Sequence, residues 1–228
     1  MSIVLGSYTF DELRTAVVEK HEEAGGQDAR VIEIRGVIEG LSSVDAMEAE
    51  LDAMLRQASE AGEETALTLR SGRRLLVSRT EFTREVARGG LVASFVLKLA
   101  ARDPFEESTA ESSVAWSITA SGDTKALSTD GEVFALLNIS LVASGTVVDP
   151  CFSDGTRGMT YSGEIADGET LVFDGPGGRV TLEGEDVTPY VDGFFPRVVP
   201  GGATLTYTDD ASSSHGASVT VAHRARWW

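Results

Sequence analysis

Leu91-Val92-Ala93-Ser94-Phe95-Val96-Leu97-Lys98-Leu99-Ala100, followed by Ala101-Arg102-Asp103-Pro104-Phe105-Glu106, is the stretch on which the reading of the fold turns. It carries one charge before Arg102 and falls well short of the roughly 18 apolar residues that a membrane helix needs. A run of Val, Leu and Phe of this length is expected to form a largely buried β-strand. Pro104 has no N–H to give to a ladder, so the strand should stop there.

Upstream, Gly89-Gly90 separates this strand from a short hairpin expected at 65–69 and 74–79, turning at Ser71-Gly72. Before it, Val44, Met47, Leu51, Met54, Leu55 and Ala58 recur at helical spacing and predict a helix over about 44–61. Ser43 is placed to cap its first turn, Leu41 to staple onto Met47, and Gly62 to end it. Asp45, Glu48, Glu50 and Asp52 sit in its N-terminal half, where the helix dipole favours negative charge. In Arg30-Val31-Ile32-Glu33-Ile34-Arg35 charged and β-branched residues alternate, so one face of that strand should be buried. It is the return strand of a hairpin with the loop Ala24-Gly25-Gly26-Gln27-Asp28, and the opening residues alternate through Ile3, Leu5 and Phe10.

Downstream, 106–113 turns to Glu, Ser, Thr and Ala and reads as a linker. Strands are then expected at 114–120, 133–142, 159–162, 170–174, 179–182, 203–208 and 217–226, between turn clusters such as Asp174-Gly175-Pro176-Gly177-Gly178 and Pro200-Gly201-Gly202. Short strands at near-regular spacing with no helix between them predict an antiparallel β-sandwich. The chain is thus expected to be mainly β with two domains, 1–106 containing the helix and 107–228 the sandwich.

The 228 residues carry a net charge of -17, which argues against general affinity for nucleic acid phosphates. The charge is unevenly placed. Residues 1–69 hold 5 basic and 15 acidic side chains, 70–102 hold 8 and 2, and 103–228 hold 6 and 19. One cysteine, Cys151, excludes an internal disulfide framework. The N-terminus lacks the basic flank and apolar run of a signal peptide, and no membrane insertion is expected.

The strand closed by Asp103-Pro104-Phe105-Glu106 resembles the junction of the Dit family, the distal tail proteins of long-tailed bacteriophages. Asn138, Gly145, Asp149-Pro150, Met159-Thr160-Tyr161-Ser162-Gly163 and Asp167-Gly168-Glu169-Thr170-Leu171 extend the resemblance in order. Phe194-Phe195-Pro196, Pro200-Gly201-Gly202 and the Tyr207 strand complete it, over residues 65–228 by motif and 1–64 in element order. The resemblance implies an N-terminal β-barrel or split sandwich with one α-helix that oligomerises as a hexameric ring, and a C-terminal galectin-like antiparallel β-sandwich outside it. It implies a homo-oligomer placed between the tail tube protein and the tail tip or baseplate hub protein, with receptor-binding proteins as further partners. It also implies residence at the virion tail tip, assembly in the host cytoplasm, and passage of DNA through the ring without sequence-specific binding.

In a ring whose subunits meet head to tail, opposite charges on the two contacting faces set the register. Some of Arg70, Arg73, Arg74, Arg79, Arg84 and Arg88 are therefore expected to face acidic residues of a neighbouring protomer. Trp227 and Trp228 are expected to contact a partner or dock on the sandwich, whereas Trp116, at an alternating strand position, reads as core.

No catalytic motif emerges. His21, His215 and His223 are far apart and lack the cysteines or spaced carboxylates of a metal site. No Gly-x-Ser-x-Gly or Cys/His pairing is present, and the glycine-rich segments lack the Lys-Ser/Thr of a phosphate loop. Neither enzyme activity nor a cofactor is expected. A carbohydrate-binding or adhesin module of the tail or cell surface is the alternative.

Overall fold

The computed structural model describes residues 2–24, 27–58, 63–87 and 91–228. Contacts divide the chain into two units, Met1–Thr109 with Trp228, and Ala110–Trp227. Gly25-Gly26, the Gly89-Gly90 break, the expected last turn of the helix and Gly62 lie outside the described residues.

The first unit is a curled antiparallel sheet with one α-helix among the described residues. Its strands are β1 (Val4–Leu5), β2 (Tyr8–Thr9), β3 (Thr15–Ala24), β4 (Gln27–Glu39), β5 (Thr65–Thr68), β6 (Arg73–Ala87), β7 (Val92–Ala101) and β8 (Glu106–Ser108), with α1 (Val44–Gln57) between β4 and β5. The path through the sheet is β2-β1-β5-β6-β7-β4-β3, and β8 also pairs with β6. The opening alternation at Ile3, Leu5 and Phe10 becomes a two-strand turn, β1 to β2, rather than one strand.

Register follows from the alternation. Ile32 lies opposite Leu99 and Ile34 opposite Leu97, so four large side chains leave the same face. They join one core with Met47, Leu51 and Met54, all three fully buried on the inner stripe of α1. The helix begins where its cap predicts, the Ser43 hydroxyl accepting from the Ala46 N–H at 3.1 Å. It ends at Gln57, where Ala58 turns extended and its N–H reaches back to the Leu55 carbonyl.

Strand β6 is far longer than the expected 74–79. Against β7, Arg79 faces Leu99 but Glu81 faces Lys98, so Thr80 is an extra residue, a β-bulge. The bulge switches the inward positions from Leu75 and Val77 to Phe82 and Val86, and the change of phase hides the continuing strand from a period-2 reading. Residues 106–108, expected as linker, pair with β6 as β8, and the Glu106 and Glu107 carboxylates meet Arg73 and Arg74 of that strand.

Gly36 of β4 has a steric role. A Cβ there would lie 2.5 Å from the Phe95 ring, which packs over the glycine and toward Phe10. Gly36→Ala should therefore push the ring off its site and lower the stability of this unit by about 1–3 kcal/mol in denaturant titration.

The second unit packs two antiparallel sheets face to face. Its strands are β9 (Ser112–Ile118), β10 (Thr124–Leu127), β11 (Ala135–Leu136), β12 (Asn138–Ala143), β13 (Val147–Val148), β14 (Cys151–Ser153), β15 (Gly158–Tyr161) and β16 (Glu164–Ile165). There follow β17 (Thr170–Asp174), β18 (Arg179–Leu182), β19 (Glu185–Asp186), β20 (Val191–Gly193), β21 (Arg197–Val198), β22 (Ala203–Thr208), β23 (Ala217–His223) and β24 (Arg226–Trp227). One sheet runs β19-β18-β17-β12-β23-β9 and the other β10-β22-β14-β15-β20. Between them Phe152, fully buried, meets the rings of Trp116, Phe173 and Tyr207 at centroid distances of 6.2, 5.5 and 5.5 Å.

The expected strands at 133–142 and 217–226 are each divided, the first at Leu137 and the second after His223. Strands β10, β14 and β20 were not expected, and β14 and β20 have only three residues each, too few to show a period. Gly193 ends β20 with φ +106, and a Cβ there would lie 2.1 Å from the Gly158 carbonyl oxygen, so only glycine suits this kink.

Candidate assembly surface

The long strands β3, β4, β7 and β6 form a ribbon of four within the first unit. Among the described residues β3 ends the sheet path, and residues 79–87 of β6 pair only with β7. The ribbon thus has two long edges, β3 and residues 79–87 of β6, that pair with no further strand among the described residues. Such edges invite pairing with another chain.

The arginines expected at an interface have partners closer to home. Arg30 of β4, almost wholly buried, donates from Nε to Glu19 at 3.1 Å, from Nη1 to the Pro104 carbonyl at 3.3 Å and from Nη2 to Glu106 at 3.0 Å. Arg70 joins the same carboxylates, bonding Glu106 and standing 3.6 Å from Glu19, and Arg73 lies 3.9 Å from the second Glu106 oxygen. Arg74 donates to Glu107 at 2.7 Å, and Arg84 to Asp52 of α1 at 2.8 Å. Arg79 sits on β6 opposite Leu99, beside the bulge, and Arg88 lies outside the described residues.

The Asp-Pro-Phe-Glu segment is thereby fastened to β4 by a charge network, with Glu106 (2% exposed) at its centre. The acidic 1–69 block and the basic 70–102 block meet within one chain, as Glu19 with Arg70 and Asp52 with Arg84. On the ribbon's other face Lys98 bonds Glu81 at 2.7 Å, which raises the lysine pKa, and Arg35 bonds Glu33, which lowers the carboxyl's.

Trp227 is half-buried at the end of β24. Trp228, 56% exposed, groups with the first unit, its ring edge-on to Phe105 at 4.5 Å. Trp116 is core. Two exposed aromatics, Tyr190 and Phe194, at 64% and 72% exposure, were not expected as contact residues, Phe194 having entered only through the Phe-Phe-Pro motif. The inward Val191 and Phe195 between and beside them were the available signal.

The side chain of His21 lies outside the described residues. His215 meets Asp209 at 2.8 Å, and the Tyr207 hydroxyl donates to the other Asp209 oxygen at 2.9 Å. Such an aspartate–histidine pair orients the base in hydrolases, but the adjacent hydroxyls are turned elsewhere: Ser212 to Asp210, Ser213 to the Val148 carbonyl and Ser214 to the Ser144 carbonyl. The network braces the β22–β23 connection.

His223 is buried at the end of β23, its Nε2 without a hydrogen-bond partner. Burial lowers its pKa against the smaller opposing effects of the Ser128 backbone and Glu111. A histidine whose folded pKa lies below its unfolded value stabilises the fold above the unfolded pKa, near 6.5, and progressively less as pH falls through the folded one. Chemical denaturation at pH 8 and pH 5 should therefore show the second unit weakening on acidification, and His223→Phe should flatten that dependence.

No protein-family model and no curated protein matches the sequence. A solved structure does match: the crystal structure of the SPP1 Dit protein, described as a paradigm of the hub adsorption apparatus in phages infecting Gram-positive bacteria. The superposition has a TM-score of 0.68 at 10% sequence identity and covers 100% of this chain and 99% of that one. From end to end, the chain has the fold of the Dit distal tail protein.

Proposed function

We propose that the chain is a structural hub protein of a phage tail, forming a ring that joins the tail tube to the tip or baseplate and offers attachment for receptor-binding proteins. The observation that carries this reading is the full-length match, spanning both units of this chain and nearly all of a hub adsorption protein.

The two open edges of the ribbon supply a means of assembly. Strands β3-β4-β7-β6 alternate in direction, so β3 of one protomer laid beside β6 of the next continues an antiparallel ladder. The contact is heterologous, and it closes into a ring when the rotation between protomers divides a full turn. We assign six protomers to the ring, with Arg79 and Arg88 on or beside the contacting edge. The solvent-facing sides of Arg70, Arg73, Arg74 and Arg84 share their carboxylate partners with the neighbour. The second unit is read as galectin-like, and Trp227 and Trp228 contribute to partner contact.

Antibody raised against the second unit should decorate the tail tip of intact particles in electron microscopy, at the junction of tube and baseplate. Decoration of the head, or of no part of the particle, would remove the reading.

A further inference from the structure

The second unit carries its most exposed aromatic side chains together, at the β20 edge of the five-stranded sheet. Tyr190, at the end of a single 3-10 turn (Thr188–Tyr190), and Phe194 bracket β20 and expose 64% and 72% of their surface. Between them Asp192 is exposed and makes no ion pair among the described residues, whereas Val191 and Phe195 turn inward onto the core. Pairing with β15 holds this segment rigid: the Ser162 N–H donates to the Tyr190 carbonyl, and the Phe194 N–H to the Gly158 carbonyl, both at 2.8 Å. The kink at Gly193 leaves the second ring in solvent.

Two large rings left in water on a fixed backbone are costly to keep exposed, and such rings are the usual anchors of protein interfaces. The carboxylate between them adds a sign. Residues two apart on a strand are separated by about 6–7 Å, so a cation seated on Asp192 lies near the roughly 6 Å range over which either ring face attracts it. The exposed Glu185 and Asp186 of β19 add negative charge nearby in the chain. The acidic balance of residues 103–228, 6 basic against 19 acidic, favours encounter with a basic partner over an acidic one. The rings stand out from an edge rather than line a cleft, which suits an extended protein segment better than a small ligand needing enclosure.

We infer that the Tyr190–Asp192–Phe194 edge is a docking site for an extended, arginine-bearing segment of a partner protein, with the guanidinium on Asp192 and between the two rings. The peptide test reads a contact that needs no ring, so its failure is distinguishable from failure of the hub reading.

The probe is a synthetic eight-residue peptide of alternating Arg and Thr, titrated into the full-length protein and followed by amide NMR shifts. The same-length Glu/Thr peptide and a neutral oligosaccharide serve as comparisons. Shifts should cluster at residues 158–162 and 188–195 with the Arg peptide alone, and added salt should weaken them. Asp192→Asn should weaken binding about tenfold, and Tyr190→Ser with Phe194→Ser should abolish it while leaving the thermal midpoint unchanged. Four results would overturn the proposal: no shifts in this region, equal binding of the Glu peptide, preferential binding of the oligosaccharide, or Arg-peptide binding that survives the double substitution. Should the double variant fail to fold, Asp192→Asn alone decides, and unchanged affinity in that variant counts against the site.

Discussion

Glu106→Ala should lower the stability of the first unit by about 3 kcal/mol, the cost of leaving a buried cation with one of its two carboxylates. Glu106 is 2% exposed, and Arg30, Arg70 and Arg73 converge on it. Arg30, itself 1% exposed, would keep only Glu19 and the Pro104 carbonyl. In urea titration followed by two probes, the first-unit transition should move to lower denaturant while the second stays in place. The double variant Glu106→Leu with Arg30→Met should recover much of the loss, because replacing a buried pair with apolar groups is often neutral. A loss below about 1 kcal/mol for the single variant would mean that the network is solvated and does not fasten the segment.

Phe152→Ala should cost the second unit a similar amount, about 3–5 kcal/mol. Phe152 stands between the two sheets at the meeting point of Trp116, Phe173 and Tyr207, so its removal opens a cavity that no single neighbour can fill. It also removes edge-to-face contacts, such as that with Phe173 at an interplanar angle of 80°, each worth about 0.5–1.5 kcal/mol. Here the second-unit transition should move and the first should not. Phe152→Leu, which keeps most of the volume, should cost far less. Equal losses for the two substitutions would place the residue outside a close-packed core.

What the sequence disclosed depended on how regularly each element repeats. Val92–Ala101 and the alternating half of β4 were legible because their apolar residues keep one period. The helix was legible from its stripe and its cap. Strand β6 was cut short because Thr80 shifts the phase of the alternation, a change that looks from sequence like the end of a strand. Strands β14 and β20 have three residues each, too few for any period.

The candidate site was legible only in part. The excess of arginine at 70–102 was plain, but composition could not say that Glu19, Asp52 and Glu106 would fold back onto it. Those pairings join residues 32 to 51 positions apart, and only the tertiary fold supplies them. They also bear on how assembly is probed. Reversing Arg73 and Arg74 would strike the Glu106 and Glu107 pairs inside the protomer, so a lost ring could reflect a weakened subunit. The open edge of β3 offers a cleaner target. Val18 is exposed there, and a Val18→Lys substitution adds charge at the edge without removing a buried group.

Native mass spectrometry of the 228-residue chain separates a closed ring from every other state of assembly. A ring closed through the β3 and β6 edges should give one dominant species of six chain masses at low micromolar concentration, shifted toward monomer by Val18→Lys. A monomer at every concentration, or an open ladder of masses with no preferred closure, would contradict it.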